Sequence, residues 1–192
     1  MVKVLKLIQT EKVPDQLMEF AREVYRKKFF GYLVVEIARD EIGLGSMPFR
    51  AGIKGKQYLA DEILEEGLRR GSVRGGVVII ITCEDVYTLG TNYIFGLATS
   101  GGGLISSARI DPKFWDGVPE LFHYSKEGNE FFLKQFAKVL LHEVGHALSL
   151  DHCKDLGCVM RYSNSPIELY SKGEDFCNGC WNKLVANLGA MD

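Results

Sequence analysis

The stretch Leu141-His-Glu-Val-Gly-His-Ala-Leu-Ser-Leu-Asp-His-Cys153 decides how this chain is read. Two histidines four residues apart, His142 and His146, stand one above the other on a helix face, so both imidazoles reach one metal ion. Glu143 projects about 100° round the helix from His142, where its carboxylate addresses a water on the metal without becoming a ligand. His152 follows six residues after His146. For His152 to join the same ion, the helix must stop near Ser149 and the chain must turn back. Three neutral imidazoles leave one position of a tetrahedral zinc open, which is the mark of a catalytic site.

Immediately downstream, Cys153, Cys158, Cys177 and Cys180 fall within 28 residues. Five cysteines in all, an odd number, argue against a disulfide framework. Thiolates paired as Cys153-x4-Cys158 and Cys177-x-x-Cys180 suit a structural zinc with all four positions filled. Cys83 ends an apolar strand with no Cys or His near it in sequence and reads as an inert core thiol. His123, between Phe122 and Tyr124, reads as an ordinary surface or core residue.

The helix carrying the histidines extends back to Glu130 through Phe131, Phe132, Phe136, Val139 and Leu140 at helical spacing. Further upstream, 2–8 reads as an opening strand, and Pro14-Asp15 start a helix that runs to about Lys28. Gly31–Ile37 reads as a second strand, broken by Arg39-Asp-Glu41. The Gly-rich, Pro48-containing stretch 43–56 reads as a loop, and 57–70 as a second helix ended by Gly71. Val77–Cys83 is the strongest strand signal, apolar on both faces and therefore buried in the sheet. Asn92–Ala98 and Leu104–Ile110 form a hairpin across a Gly-rich tip, and 111–129 is irregular. Helices alternating with strands predict an α/β layer arrangement. No internal repeat or low-complexity segment interrupts it.

The chain of 192 residues is one domain's worth, with 46% hydrophobic and 25% charged residues and a net charge of −2. That charge removes the electrostatic support of nucleic-acid binding, and a DNA-binding zinc module is disfavoured with it. The longest apolar run, Val77–Ile81, is far short of the ~20 residues that span a bilayer. The N-terminus interleaves Lys3 and Lys6 with apolar residues and lacks a secretory core, so the cytoplasm is the expected compartment.

Residues 142–180 resemble the archaemetzincins, whose extended zincin motif continues past the third histidine into a four-cysteine metal site. Gly96-Leu-Ala98, Gly101-Gly-Gly103 and Ser107-Ala-Arg109 are similar to the family's sheet region. The resemblance implies a zincin-like α/β (α+β) fold: a twisted mixed sheet with one antiparallel edge strand, an active-site helix and a Met-turn. It also implies a small C-terminal zinc-bound subdomain. His142, His146 and His152 match the catalytic zinc ligands, Glu143 the general base and Met160 the methionine of the turn. Cys153, Cys158, Cys177 and Cys180 match the ligands of the second zinc, giving two zinc ions per chain. Two departures stand out: Ser149 replaces the glycine of the turn, and 16 residues separate Met160 from Cys177, one fewer than the family's interval. Met160-Arg-Tyr162 is similar to the astacin turn, whose tyrosine assists at the zinc; packing is the preferred reading of Tyr162.

The expected function is hydrolysis of peptide bonds by a monomer, with an aminopeptidase left open. Residues 1–150 are expected to form an upper subdomain and 151–192 a lower one. An extended peptide would add to the edge strand Asn92, Tyr93, Ile94, Phe95, Gly96, Leu97 and Ala98. The contrasting reading is a non-catalytic two-zinc binding module, which would have no need of a carboxylate at Glu143.

Overall fold

The computed structural model describes residues 3–115 and 128–191. The central element is β5 (Val77–Thr82), whose six side chains are all buried, as its unbroken apolar run predicts. Around it lie β1 (Val4–Thr10), β2 (Val34–Ile42), β8 (Gly102–Ser106) and β7 (Gly96–Thr99), in the order β2-β1-β5-β8-β7. β2, β1, β5 and β8 pair parallel to one another, and β7 alone runs antiparallel, on β8. The expected mixed sheet with one antiparallel edge strand is therefore present. β7 is an outer strand, and among the described residues one side of its backbone has no partner strand.

Two apolar layers sandwich this sheet. One face carries α1 (Asp15–Lys28) and α3 (Asn129–Ala147), packed with Leu5, Leu7, Ile79, Ile81 and Ile105. The other carries α2 (Ala60–Gly71), with Ile63 and Leu64 against Ile8, Val78, Ile80 and Leu104. Tyr25 of α1 is fully buried, and its hydroxyl donates to the Leu140 carbonyl at 2.8 Å, tying α1 to the helix that carries the histidines. Beyond α3 the chain forms α4 (Pro166–Ser171) and α5 (Asn178–Ala190).

Three expectations need correction. The stretch 43–56 is not all loop: β3 (Phe49–Gly52) and β4 (Gly55–Leu59) form a hairpin, joined by β6 (Asp85–Tyr87) into a second sheet. Pro48 stands just before the hairpin, and Gly55, at φ 121°, turns it. The second helix accordingly begins at Ala60 rather than at 57. The second strand continues through the charged Arg39–Glu41, because β2 is an edge strand and can expose charges there. Finally, of the expected edge strand only 96–98 lie in β7. Asn92, Tyr93, Ile94 and Phe95 approach it outside any strand. The Asn92 carbonyl accepts from Arg50 and Gln57 and the Ile94 N–H donates to the Val86 carbonyl, so the second sheet claims these residues, while the Phe95 carbonyl accepts from Ser106 of β8. His123 lies outside the described residues.

Candidate active site

The helix α3 places His142 and Glu143 inside the protein, 8% and 6% exposed, with His146 half-buried one turn on. Its end is a Schellman reversal. The Leu150 N–H donates to the Gly145 carbonyl at 2.9 Å and the Ser149 N–H to the His146 carbonyl at 2.8 Å, with Ser149 at φ 64°. The predicted sharp turn is therefore made, and a serine makes it. It carries the Leu150 carbonyl back to within 2.7 Å of His146 Nδ1, and it brings the His152 ring to 4.7 Å from that of His146 and 5.3 Å from that of His142.

The ring nitrogens decide what the cluster can hold. His142 Nδ1 lies 2.9 Å from the Val159 carbonyl and His146 Nδ1 2.7 Å from that of Leu150. A carbonyl only accepts, so each Nδ1 carries the proton and each Nε2 is left a bare lone pair. Those two Nε2 atoms face each other at 3.1 Å. Two lone pairs at that distance repel unless a cation lies between them, and the ligand edge of tetrahedral zinc with ~2.0–2.1 Å Zn–N bonds is about 3.3 Å. One ring nitrogen from each of the three histidines lies within 4.8 Å of the others, as a shared metal ion would need. Burial also holds the pKa values of all three below the ordinary imidazole range, which favours the neutral form that binds metal.

Met160 lies fully buried beneath this cluster. Its sulfur occupies the space where a Cβ on Gly145 would stand, 2.4 Å away, so the glycine inside the His-Glu-Val-Gly-His run admits the methionine against the helix. The carboxylate of Glu143 lies against β7 in the same manner: a Cβ on Gly96 would meet its Cδ and Oε1 at 2.5 Å. Burial pushes the Glu143 carboxyl up to about 8, with the Lys172 charge working the other way. Tyr162 is 57% exposed, so it fills no core; its ring packs edge-on against His152 at 5.0 Å.

The three histidines, Glu143, Gly96, Ser149, Leu150, Tyr162 and Lys172 line one cleft of about 560 Å³. Its upper rim is Tyr93–Ser100, which includes the free side of β7, and its far wall holds Tyr162, Ser163, Asn164, Leu169 and Lys172. The sequence reading missed Gly96 as a contact of the carboxylate, and it missed Lys172 entirely. Lys172 is 4% exposed and follows the last turn of α4, and no local pattern distinguishes it from a solvated lysine.

Next to the cleft, the four sulfurs of Cys153, Cys158, Cys177 and Cys180 lie within 4.8 Å of one another, none in a disulfide. Cys153 and Cys177 Sγ are 3.9 Å apart, close to the ~3.8 Å edge of a Zn–S tetrahedron. The Cys177 N–H donates to Cys158 Sγ and the Asp155 N–H to Cys153 Sγ, as suits thiolates. The Cys153 N–H donates to the Met160 carbonyl at 2.9 Å, so the cysteine cluster and the methionine turn are built as one unit. Cys83 takes no part: it is half-buried, accepts from the Ser107 hydroxyl, and is pushed up by burial.

Comparison with known proteins agrees with this geometry. Residues 65–186 match the family model for Peptidase family M54. The archaemetzincin of Pyrococcus furiosus is 31% identical over 189 residues, covering 92% of this chain and 90% of the relative. That of Saccharolobus solfataricus is 35% identical over 128 residues, covering 67% of this chain and 66% of the relative. The crystal structure of archaemetzincin from Methanopyrus kandleri superposes with a TM-score of 0.75 at 27% identity, covering 98% of this chain and 96% of that one. Fold, three-histidine group and relatives define a zinc-dependent metallopeptidase, a hydrolase that acts on peptides. Within that class the chain belongs to Peptidase family M54, the archaemetzincins.

Proposed function

We propose that His142, His146 and His152 hold a catalytic zinc and that Cys153, Cys158, Cys177 and Cys180 hold a second, structural one. The observation carrying this reading is the pair of bare Nε2 lone pairs 3.1 Å apart, each fixed by a carbonyl on the ring's far side. Zinc in that position supplies a Lewis acid that acidifies water and polarises the scissile carbonyl. Glu143 takes the proton from the attacking water and returns it to the leaving amine. β7 binds the extended peptide by its free backbone edge, in the antiparallel sense, and Gly96 lets Glu143 lie against that edge. Tyr162, exposed with its ring against His152, has no core to fill and assists at the reacting carbonyl. Met160 supports the ligands from below.

The same reading divides the domain at the cleft into residues 1–150 above and 151–192 below. It takes the protein to be a monomer working on peptides in the cytoplasm, where five unpaired thiols stay reduced. Among the described residues no helix is long and apolar enough to cross a membrane. The carboxylate of Glu143 inside the cleft favours a peptidase over a non-catalytic two-zinc module, and an amino-terminal cleavage preference is open to a peptide-library digest.

Native mass spectrometry tests the metal assignment. The protein is expected to carry two zinc ions. His146→Ala should keep one and lose peptide cleavage, whereas Cys177→Ala should keep at most the other and melt far earlier, since structural zinc binding is worth ~10–16 kcal/mol in small sites. One zinc or none in the wild type, or an unchanged melting temperature for Cys177→Ala, overturns it.

A further inference from the structure

Lys172 is a buried cation in the wall of the cleft. Its Nζ has one partner, the Arg161 carbonyl at 3.4 Å, and no carboxylate among the described residues forms an ion pair with it. The charge of Glu143 acts on it without forming an ion pair, and burying an ammonium with no carboxylate in contact is costly, so a group so placed is matched to something that enters the cleft. Two residues along from Arg161, Ser163 lines the same cleft, and its Oγ is buried with no hydrogen-bond partner. A cation and a spare hydroxyl donor on one wall form the complement of a carboxylate. The neighbouring cation, Lys138, is occupied by the carbonyls of Leu169 and Tyr170.

The direction of the peptide follows from the packing. Glu143 lies against Gly96, and four residues later along the helix the Ala147 carbonyl accepts from the Gly101 N–H, so α3 and β7 advance in the same sense. A peptide lying antiparallel to β7 therefore sends its carboxyl-terminal half toward the start of α3. Leu169 and Lys172 belong to that side: Val139, one turn before His142, lines the cleft with them, and Lys138 bonds the Leu169 carbonyl.

Resting on the peptidase reading above, we infer that Lys172 and Ser163 form a carboxylate-binding subsite for the residue that follows the scissile bond. The carboxylate is either an acidic side chain at that position or the free carboxyl terminus of the peptide. Lys172 acts by binding substrate and takes no part in the proton transfers of Glu143.

Two matched peptide pairs test it, one pair with Glu or Gln after the scissile bond and one with a free or amidated terminus at that residue. Each is measured as kcat/KM with wild type, Lys172→Met, Lys172→Arg and Ser163→Ala, with zinc content checked for each. A charge-assisted hydrogen bond should give the carboxylate-bearing member of at least one pair an advantage of about 10- to 100-fold. The pair that shows it identifies the source of the carboxylate. Lys172→Met should bring the ratio to about one, and Lys172→Arg should retain it. A ratio near one in the wild type for both pairs, or one unchanged in Lys172→Met, overturns the subsite while leaving the peptidase reading intact. Calorimetry on the zinc-bound protein with two pairs, Glu-Ala against Gln-Ala and leucine against leucinamide, supplies a readout that needs no turnover. Tighter binding of Glu-Ala, or of leucine over leucinamide, that is lost in Lys172→Met supports the subsite even if no peptide is cleaved, and equal binding within both pairs overturns it.

Discussion

Ser149 sits at φ 64°, a conformation that glycine adopts freely and that costs a residue with a Cβ about 1–2 kcal/mol. The Schellman reversal requires it: the Ser149 and Leu150 N–H groups donate to main-chain carbonyls, while Asn187 and His146 side chains hold the Leu148 and Leu150 carbonyls. Ser149→Gly should therefore raise stability by up to about 1 kcal/mol in urea titration and leave zinc affinity equal or tighter. Weaker zinc binding in that variant would show the hydroxyl to be contributing something the backbone does not. Gly96 is the opposite case. Its space is filled by the Glu143 carboxylate, the far end of a movable side chain, so Gly96→Ala should fold and retain zinc while displacing the carboxylate. Peptide hydrolysis should fall by about 10²-fold or more, as misplacement of about 1 Å can cause. The histidines, Glu143 and the cysteines were legible in the sequence because metal chemistry constrains their spacing along a short stretch of chain. Gly96 and Lys172 were not, because what defines them is a partner many residues away.

Among the elements, the central strand β5 and the helices α1 and α3 could be read directly, since their apolar periodicity answers to burial on known faces. The hairpin β3–β4 could not: glycine-rich, largely exposed and bounded by Pro48, it has the composition of a loop and becomes a strand pair only through β6, which arrives from 26 residues further on. The run Asn92–Phe95 misled in the other direction, being rich in strand-forming residues, yet Asn92 and Ile94 bond the second sheet and only the Phe95 carbonyl reaches β8. The contact of α1 with α3 makes a prediction at this scale. Tyr25 is fully buried with its hydroxyl on the Leu140 carbonyl, and burial raises its pKa well above 10, with the charge of Glu143 adding to the effect. The unfolded chain ionises this tyrosine near pH 10 and the folded one does not, so the stability it contributes is present below that pH and is lost as pH rises beyond it. Tyr25→Phe should cost about 1 kcal/mol at pH 8, and the gap to wild type should narrow in urea titrations above pH 10. A gap that is constant across that range would contradict the burial argument.

At the level of the whole molecule, the sheet supplies a rigid free edge, α3 hangs two histidines and Glu143 beneath it, and the segment after Ser149 brings His152, Met160 and four cysteines back under the helix. The division of labour proposed for the two clusters follows from their donors: four thiolates would close a coordination shell, and three imidazoles would leave it open. On the proposed mechanism Glu143, which is close to the cluster without being one of its ligands, supplies the proton transfers that make the open site a peptidase. The most direct measurement is a comparison of Glu143→Ala with wild type, reading zinc by native mass spectrometry and hydrolysis of a peptide that the wild type cleaves. The account predicts that both zinc ions and the melting transition remain while the hydrolysis rate falls by ~10²–10⁴. A Glu143→Ala protein that keeps both metals and cleaves the peptide at the wild-type rate would contradict it.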